Sequence, residues 1–181
     1  AVRCVWITNL ASIVGFTIAD GATRGSFSGD DDAGGGIFAT STDAMISRCI
    51  LTGNVAFEGG AAWKGTLNNC RLIGNRASWG GGTHSSVLNN SVVQGNHAIL
   101  NGGGLNESIA YNCTIVDNTA VIAAGGARFG QLVNCILYFN AASSSANDFG
   151  ALFNYTCTTP MPAGGTGNIT NDPLFVSLAT T

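Results

Sequence analysis

Apolar and polar positions along this chain follow two periods at once. The short one is two. In the run Cys70-Arg71-Leu72-Ile73-Gly74, small or apolar residues alternate with Arg71 and Ile73, as in a strand with one buried face. The long period is 21 to 22 residues. A small residue opens the strand frame at Cys49, Cys70, Ser91, Cys113, Cys135 and Cys157, in steps of 21, 21, 22, 22 and 22. Asn54, Asn75, Asn96, Asn118 and Asn140 form a second column. Ala56, Ala77, Ala98, Ala120 and Ala142 follow two residues later, and glycine clusters close each period.

A fixed period of this length is the signature of a repeat architecture. Glycine pairs in every period and runs such as Cys113-Thr114-Ile115-Val116 oppose helix and favour strand. The fold expected is therefore all-β: a right-handed, single-stranded parallel β-helix of about eight coils, with three short strands per coil. At a strand spacing of roughly 4.8 Å, eight coils make a rod of about 40 Å. One domain should cover residues 1–181, with a long loop excursion at about 22–33 and an irregular last coil at about 141–181. The small-residue column belongs in the narrow interior. The Asn54 to Asn140 column is expected to turn the corner with the glycine before it, and to link coils amide to amide. Asn69, Asn90, Asn112 and Asn134 read the same way.

Composition narrows the function. Only 9% of residues are charged while 45% are hydrophobic, which excludes disorder, and a net charge of −3 with Lys64 as the single lysine gives no basic footprint for nucleic acid. No apolar run is long enough to span a membrane as a helix.

The segments "NNCRLIGNRASWGGG" and "YNCTIVDNTAVIAAGG" resemble the repeats of secreted bacterial right-handed β-helix proteins of the pectate-lyase-like superfamily. The GG-[AG]-x element also resembles the short motifs of polymorphic outer-membrane autotransporter proteins, although their F-x-x-N motif survives only as x-x-G-N. The opening "AVRCVWITNLASIVGFTIADGATR" and the closing "GTGNITNDPLFV" look like first and last coils of the same group. The resemblance implies a secreted or bacterial cell-surface location and a segment of a longer polypeptide.

Candidate chemistry is sparse. Five cysteines share one column without C-x-x-C spacing, so reduced core thiols are expected, with a Cys135–Cys157 bridge as the alternative. Asp30, Asp31 and Asp32 form the one dense acidic cluster and the one place for a hard cation such as calcium; they lack the D-x-D-x-D-G spacing, which favours a solvated loop. The remaining acids, Glu58, Glu107 and Asp117 among them, fall on scattered columns, and His84 and His97 have no acid in register. No catalytic set is expected, and no cofactor beyond that calcium. A lateral column of Trp63, His84, Asn106 and Phe129 is a candidate for stacking on sugar rings. The outward positions of the cysteine strand, Ile50, Ile73, Val92, Val116, Ile136 and Tyr138, form an aliphatic stripe that reads as an interface. The expected function is a non-catalytic structural or adhesive module that self-assembles laterally or end to end, or packs on other parts of a longer parent chain. The alternative is a carbohydrate-binding or lyase-like polysaccharide-degrading β-helix.

Overall fold

A computed structural model describes residues 2–24 and 29–175. Four residues of the excursion, 25–28, and the last six, 176–181, lie outside the described residues. The chain is an all-β parallel solenoid, and Gly29–Asp32 is a single 3-10 turn.

Three sheets of seven parallel strands run along the rod. Sheet A starts with Val5–Ile7 and Ile37–Ala39 and ends with Asp148–Phe149; sheet B runs from Ser12–Val14 to Leu152–Asn154; sheet C from Thr17–Ala19 to Cys157–Thr158. Seven strands per sheet make about six turns, fewer than eight, because the described residues of the excursion and residues 159–175 add no full rung. A fourth sheet, D, adds a strand to the middle coils at Arg76–Trp79, His97–Asn101, Thr119–Ala123 and Ala141–Ser144.

Like stacks on like. Ile18, Leu51, Leu72, Val93, Ile115 and Leu137 pair rung by rung inside sheet C, and Ile46, Leu67, Leu88, Ala110 and Leu132 do so inside sheet B. All of these side chains are buried, as are Ala77, Ala98 and Ala120 inside sheet D. The alternation in the sequence thus becomes one continuous core.

The small-residue column lies inside, except at its last expected member, Cys157. Main-chain N–H groups link it from rung to rung: Cys70 donates to Ser91 Oγ, Cys113 to Cys135 Sγ, and Cys135 to Thr156 Oγ1. Thr156 therefore fills the sixth place. Cys157 pairs with Ile136 in the outward row instead, because the last coil is one residue shorter. All six thiols are free, and burial pushes Cys70 up to about 11. The hydrogen bond to Cys135, together with burial, also holds Cys113 above the ordinary thiol range.

The asparagine column forms an amide ladder. From Asn54 to Asn118, each Nδ2 donates to Oδ1 of the next asparagine at 2.9 to 3.0 Å, and Asn140 continues to Asn147 at 3.0 Å. Each main-chain N–H along the same column donates to the same Oδ1. These asparagines do not turn the corner themselves. The left-handed residue is the one before them: Gly53, Gly74, Gly95, Asp117 and Phe139 have φ between 55° and 64°. Asn69, Asn90, Asn112 and Asn134 do turn their corner, with φ between 50° and 55°.

Candidate functional site

Two outer faces carry the residues singled out by the sequence. On sheet A, the outward row reads Trp6, Phe38, Trp63, His84, Asn106, Arg128 and Phe149, in strict register. Phe129 is not in that row. It occupies the left-handed corner position beside it (φ 54°), and Arg128 holds the place between Asn106 and Phe149. The shift arises because the coil from Asn106 to Arg128 is 22 residues, not 23.

This row is the wall of an elbow whose other wall is the end of sheet D. There Glu58 pairs with Trp79, and the glycine corner that follows turns the chain sharply back. His84 sits in the elbow, 7% exposed, its ring centroid 4.4 Å from that of Trp63. Glu58 Oε2 lies 4.0 Å from His84 Nδ1, and Glu107 Oε2 lies 3.7 Å from Nε2. Arg128 Nη1 is 3.6 Å from Glu107 Oε1 and donates to Asn106 Oδ1 at 3.2 Å. The same guanidinium stacks 4.9 Å over Trp79 and 4.2 Å over Phe129. Four successive coils thus bring together two carboxylates, an imidazole and a guanidinium.

Burial decides the charge of the imidazole. Removal from water lowers the His84 pKa to about 4, against the opposing pull of Glu107, so the ring is neutral at pH 7. Asn106 Nδ2 lies 3.3 Å from Nε2 and 3.4 Å from Nδ1, and a neutral ring keeps one nitrogen free to accept from it. Burial also raises the Glu58 pKa, with Glu107 and Asp32 adding like-charge repulsion. The Trp63 indole N–H is buried without a partner.

Sequence reasoning separated these groups. By column, Glu58 stands apart from Asp117 and His84 has no acid in register; in space His84 lies between Glu58 and Glu107. Glu58 and His84 are 26 residues apart, one coil plus the width of the glycine corner, a spacing that fixes neighbouring rungs but not the closing angle of the elbow. Arg128 and Trp79 had no sequence signal at all. The row also gathers cations: Arg3 stacks on Trp6 and Phe38, and Lys64 on Trp63, so three of the chain's seven basic residues cover aromatic rings here. Of the proposed sugar-stacking residues, His84 and Asn106 are buried, while Phe129 is 36% exposed.

Asp30 and Asp31 are exposed, and Asp32 is buried with its main-chain oxygen accepting from Phe57 N and Thr23 Oγ1. Arg3 donates to the main-chain oxygen of Asp30. Among the described residues, no three His, Cys, Asp or Glu side chains are grouped to hold a metal ion.

The second face is the outside of sheet C. Its two outward rows are Ile50, Arg71, Val92, Thr114, Ile136 and Thr52, Ile73, Gln94, Val116, Tyr138. The apolar members alternate between rows from rung to rung, so the stripe is a zigzag flanked by Thr52, Arg71, Gln94 and Thr114. Val116 is buried and the other five apolar members are half-buried, as expected for side chains flanked above and below on a flat sheet. At its C-terminal end the stripe is covered by the chain itself. Ile169 bridges to Cys157, Tyr138 Oη donates to Thr170 O at 3.2 Å, and Cys157 Sγ donates to Asn171 O at 3.1 Å.

Among the described residues, no helix is long and apolar enough to cross a membrane. No family model, curated protein or solved structure matches the chain.

Proposed function

We propose that this chain is a structural or adhesive contact module of a secreted or cell-surface protein, working by packing its flat faces rather than by catalysis. The observation that supports this reading is the zigzag of Ile50, Ile73, Val92, Val116, Ile136 and Tyr138 along one flat face of the rod. A row of aliphatic side chains on a protein with so few charges is a surface suited to contact. The resemblance of the repeats to secreted β-helix and autotransporter sequences fits the same setting. Size-exclusion chromatography with light scattering, read alongside negative-stain images, tests it. Association that grows with concentration is expected; a strictly monomeric rod at every concentration sinks the packing between copies.

The carbohydrate reading draws on a different observation, the exposed Phe129 and Phe149 rings 5.8 Å apart beside Glu107 and Arg128. It ranks second because the centre of that row is buried and its cations and rings already satisfy each other. Glycan-array binding that disappears in Phe149→Ala would reverse the order.

A further inference from the structure

The outer face of sheet C has an occupant at one end, and that occupant shows what chemistry the face accepts. After Ile169 bridges to Cys157, the chain folds back over the outward row and contacts Tyr138 and Cys157 through main-chain oxygens. Phe175 then reaches Phe139, with ring centroids 6.2 Å apart. Between this segment and the sheet lies a groove of about 550 Å³, lined by Thr114, Ile136, Cys157, Ile169, Asp172 and Pro173.

In a solenoid each rung repeats the backbone geometry of the one before, so the flat outward face continues along the rod beyond the covered end. We propose that the uncovered part of this face, from Ile50 to Val116, is a docking track for an extended apolar polypeptide segment of a partner chain. The inference rests on the contact-module reading and names a partner for the same face: an extended, proline-bearing segment of the kind formed by Thr170–Phe175. Three observations favour that occupant. The covering segment is seated by its carbonyl oxygens accepting from side-chain donors, and Thr114 offers a hydroxyl donor further down the track. Of its apolar residues, Pro173 lines the groove together with Thr114 and Ile136 of the outward row. Its charge also matches. Asp172 is the only charged residue in Ile169–Phe175, and Arg71 is the only charged side chain on the two outward rows.

The test uses the full chain and a fluorescein-labelled peptide carrying residues 169–175, read by fluorescence anisotropy. Saturable binding is expected, weakened about tenfold by Arg71→Glu on the chain, and restored when the peptide carries Asp172→Arg. Val92→Asp should abolish binding, and an unchanged circular-dichroism melt confirms that this variant still folds. Arg71 is exposed, so Arg71→Glu leaves the fold intact and keeps the test decisive if Val92→Asp does not fold. Absence of saturation at millimolar peptide, or binding indifferent to Arg71→Glu and to the peptide charge, overturns the inference. A monomeric chain that still binds the peptide would sink packing between copies while this track stands. An assembling chain that ignores the peptide would do the reverse.

Discussion

Asn96 makes four side-chain hydrogen bonds while wholly buried: it accepts from Asn75 N and Nδ2, and donates to Leu72 O and Asn118 Oδ1. A buried donor or acceptor left unpaired costs about 1–3 kcal/mol, so Asn96→Ala, which strands several at once, should destabilise by about 3–5 kcal/mol in urea titrations. His84 makes the second prediction at this scale. Its folded pKa, about 4, lies below the ordinary value of 6.5. The stability it contributes is therefore present above pH 6.5 and is lost as pH falls towards 4, by at most about 3 kcal/mol. Glu58 works in the opposite sense. Its pKa is raised, so protonation in acid relieves a cost and offsets part of the loss. The melting temperature should fall between pH 7 and pH 4, and His84→Gln should flatten that fall. A variant with the same slope as the parent would show that the imidazole is not the group responsible.

The corners decide the elements. Gly95 and Gly103 look alike in sequence but do different work. Gly95 has φ +64° with open space where a Cβ would stand, so it is there for its left-handed conformation. Gly103 has no such φ, yet a Cβ there would lie 2.3 Å from Thr119 O and 2.4 Å from Gly125 O, the backbones of adjoining rungs. Gly103→Ala should cost about 2–3 kcal/mol, since neither backbone can yield without breaking the stack. Gly95→Asn should stay within about 1 kcal/mol, because asparagine tolerates the left-handed region. Thermal melts of the two variants make the comparison, and equal losses would refute the distinction. Much of this level was legible beforehand: alternation located the sheet C strands, and the repeat aligned Ala77 with Ala98 and Ala120. Sheet D as a separate stack was not legible, because its strands carry bulges between Ala77 and Trp79 and between Ala120 and Ala123 that break the period-two signal. The misplacement of Phe129 and Cys157 has a similar cause. A single-residue change in coil length moves a side chain into another row, so a fixed period points to Phe129 and Cys157 where Arg128 and Thr156 stand.

At the scale of the whole molecule, parallel stacking turns the apolar positions from Ile50 to Tyr138 into a stripe about 19 Å long, four steps of roughly 4.8 Å. The association expected from such a surface should respond to one charge in its middle. Val92→Lys, at a half-buried outward position, should return the chain to monomer in light scattering while leaving the melt unchanged. An assembly that survives this substitution must use another face.

The sequence by itself determined the solenoid, the inward columns, the amide ladder and the identity of the outward stripe. Each depends only on a period, and a period survives without coordinates. Two things were decided by tertiary structure alone. The elbow around His84 forms because the glycine corner closes sheet D onto sheet A, an angle that no residue spacing encodes. The covering of Tyr138 and Cys157 by Thr170–Phe175 depends on where an aperiodic segment folds back, and aperiodic chain carries no register from which its contacts can be read.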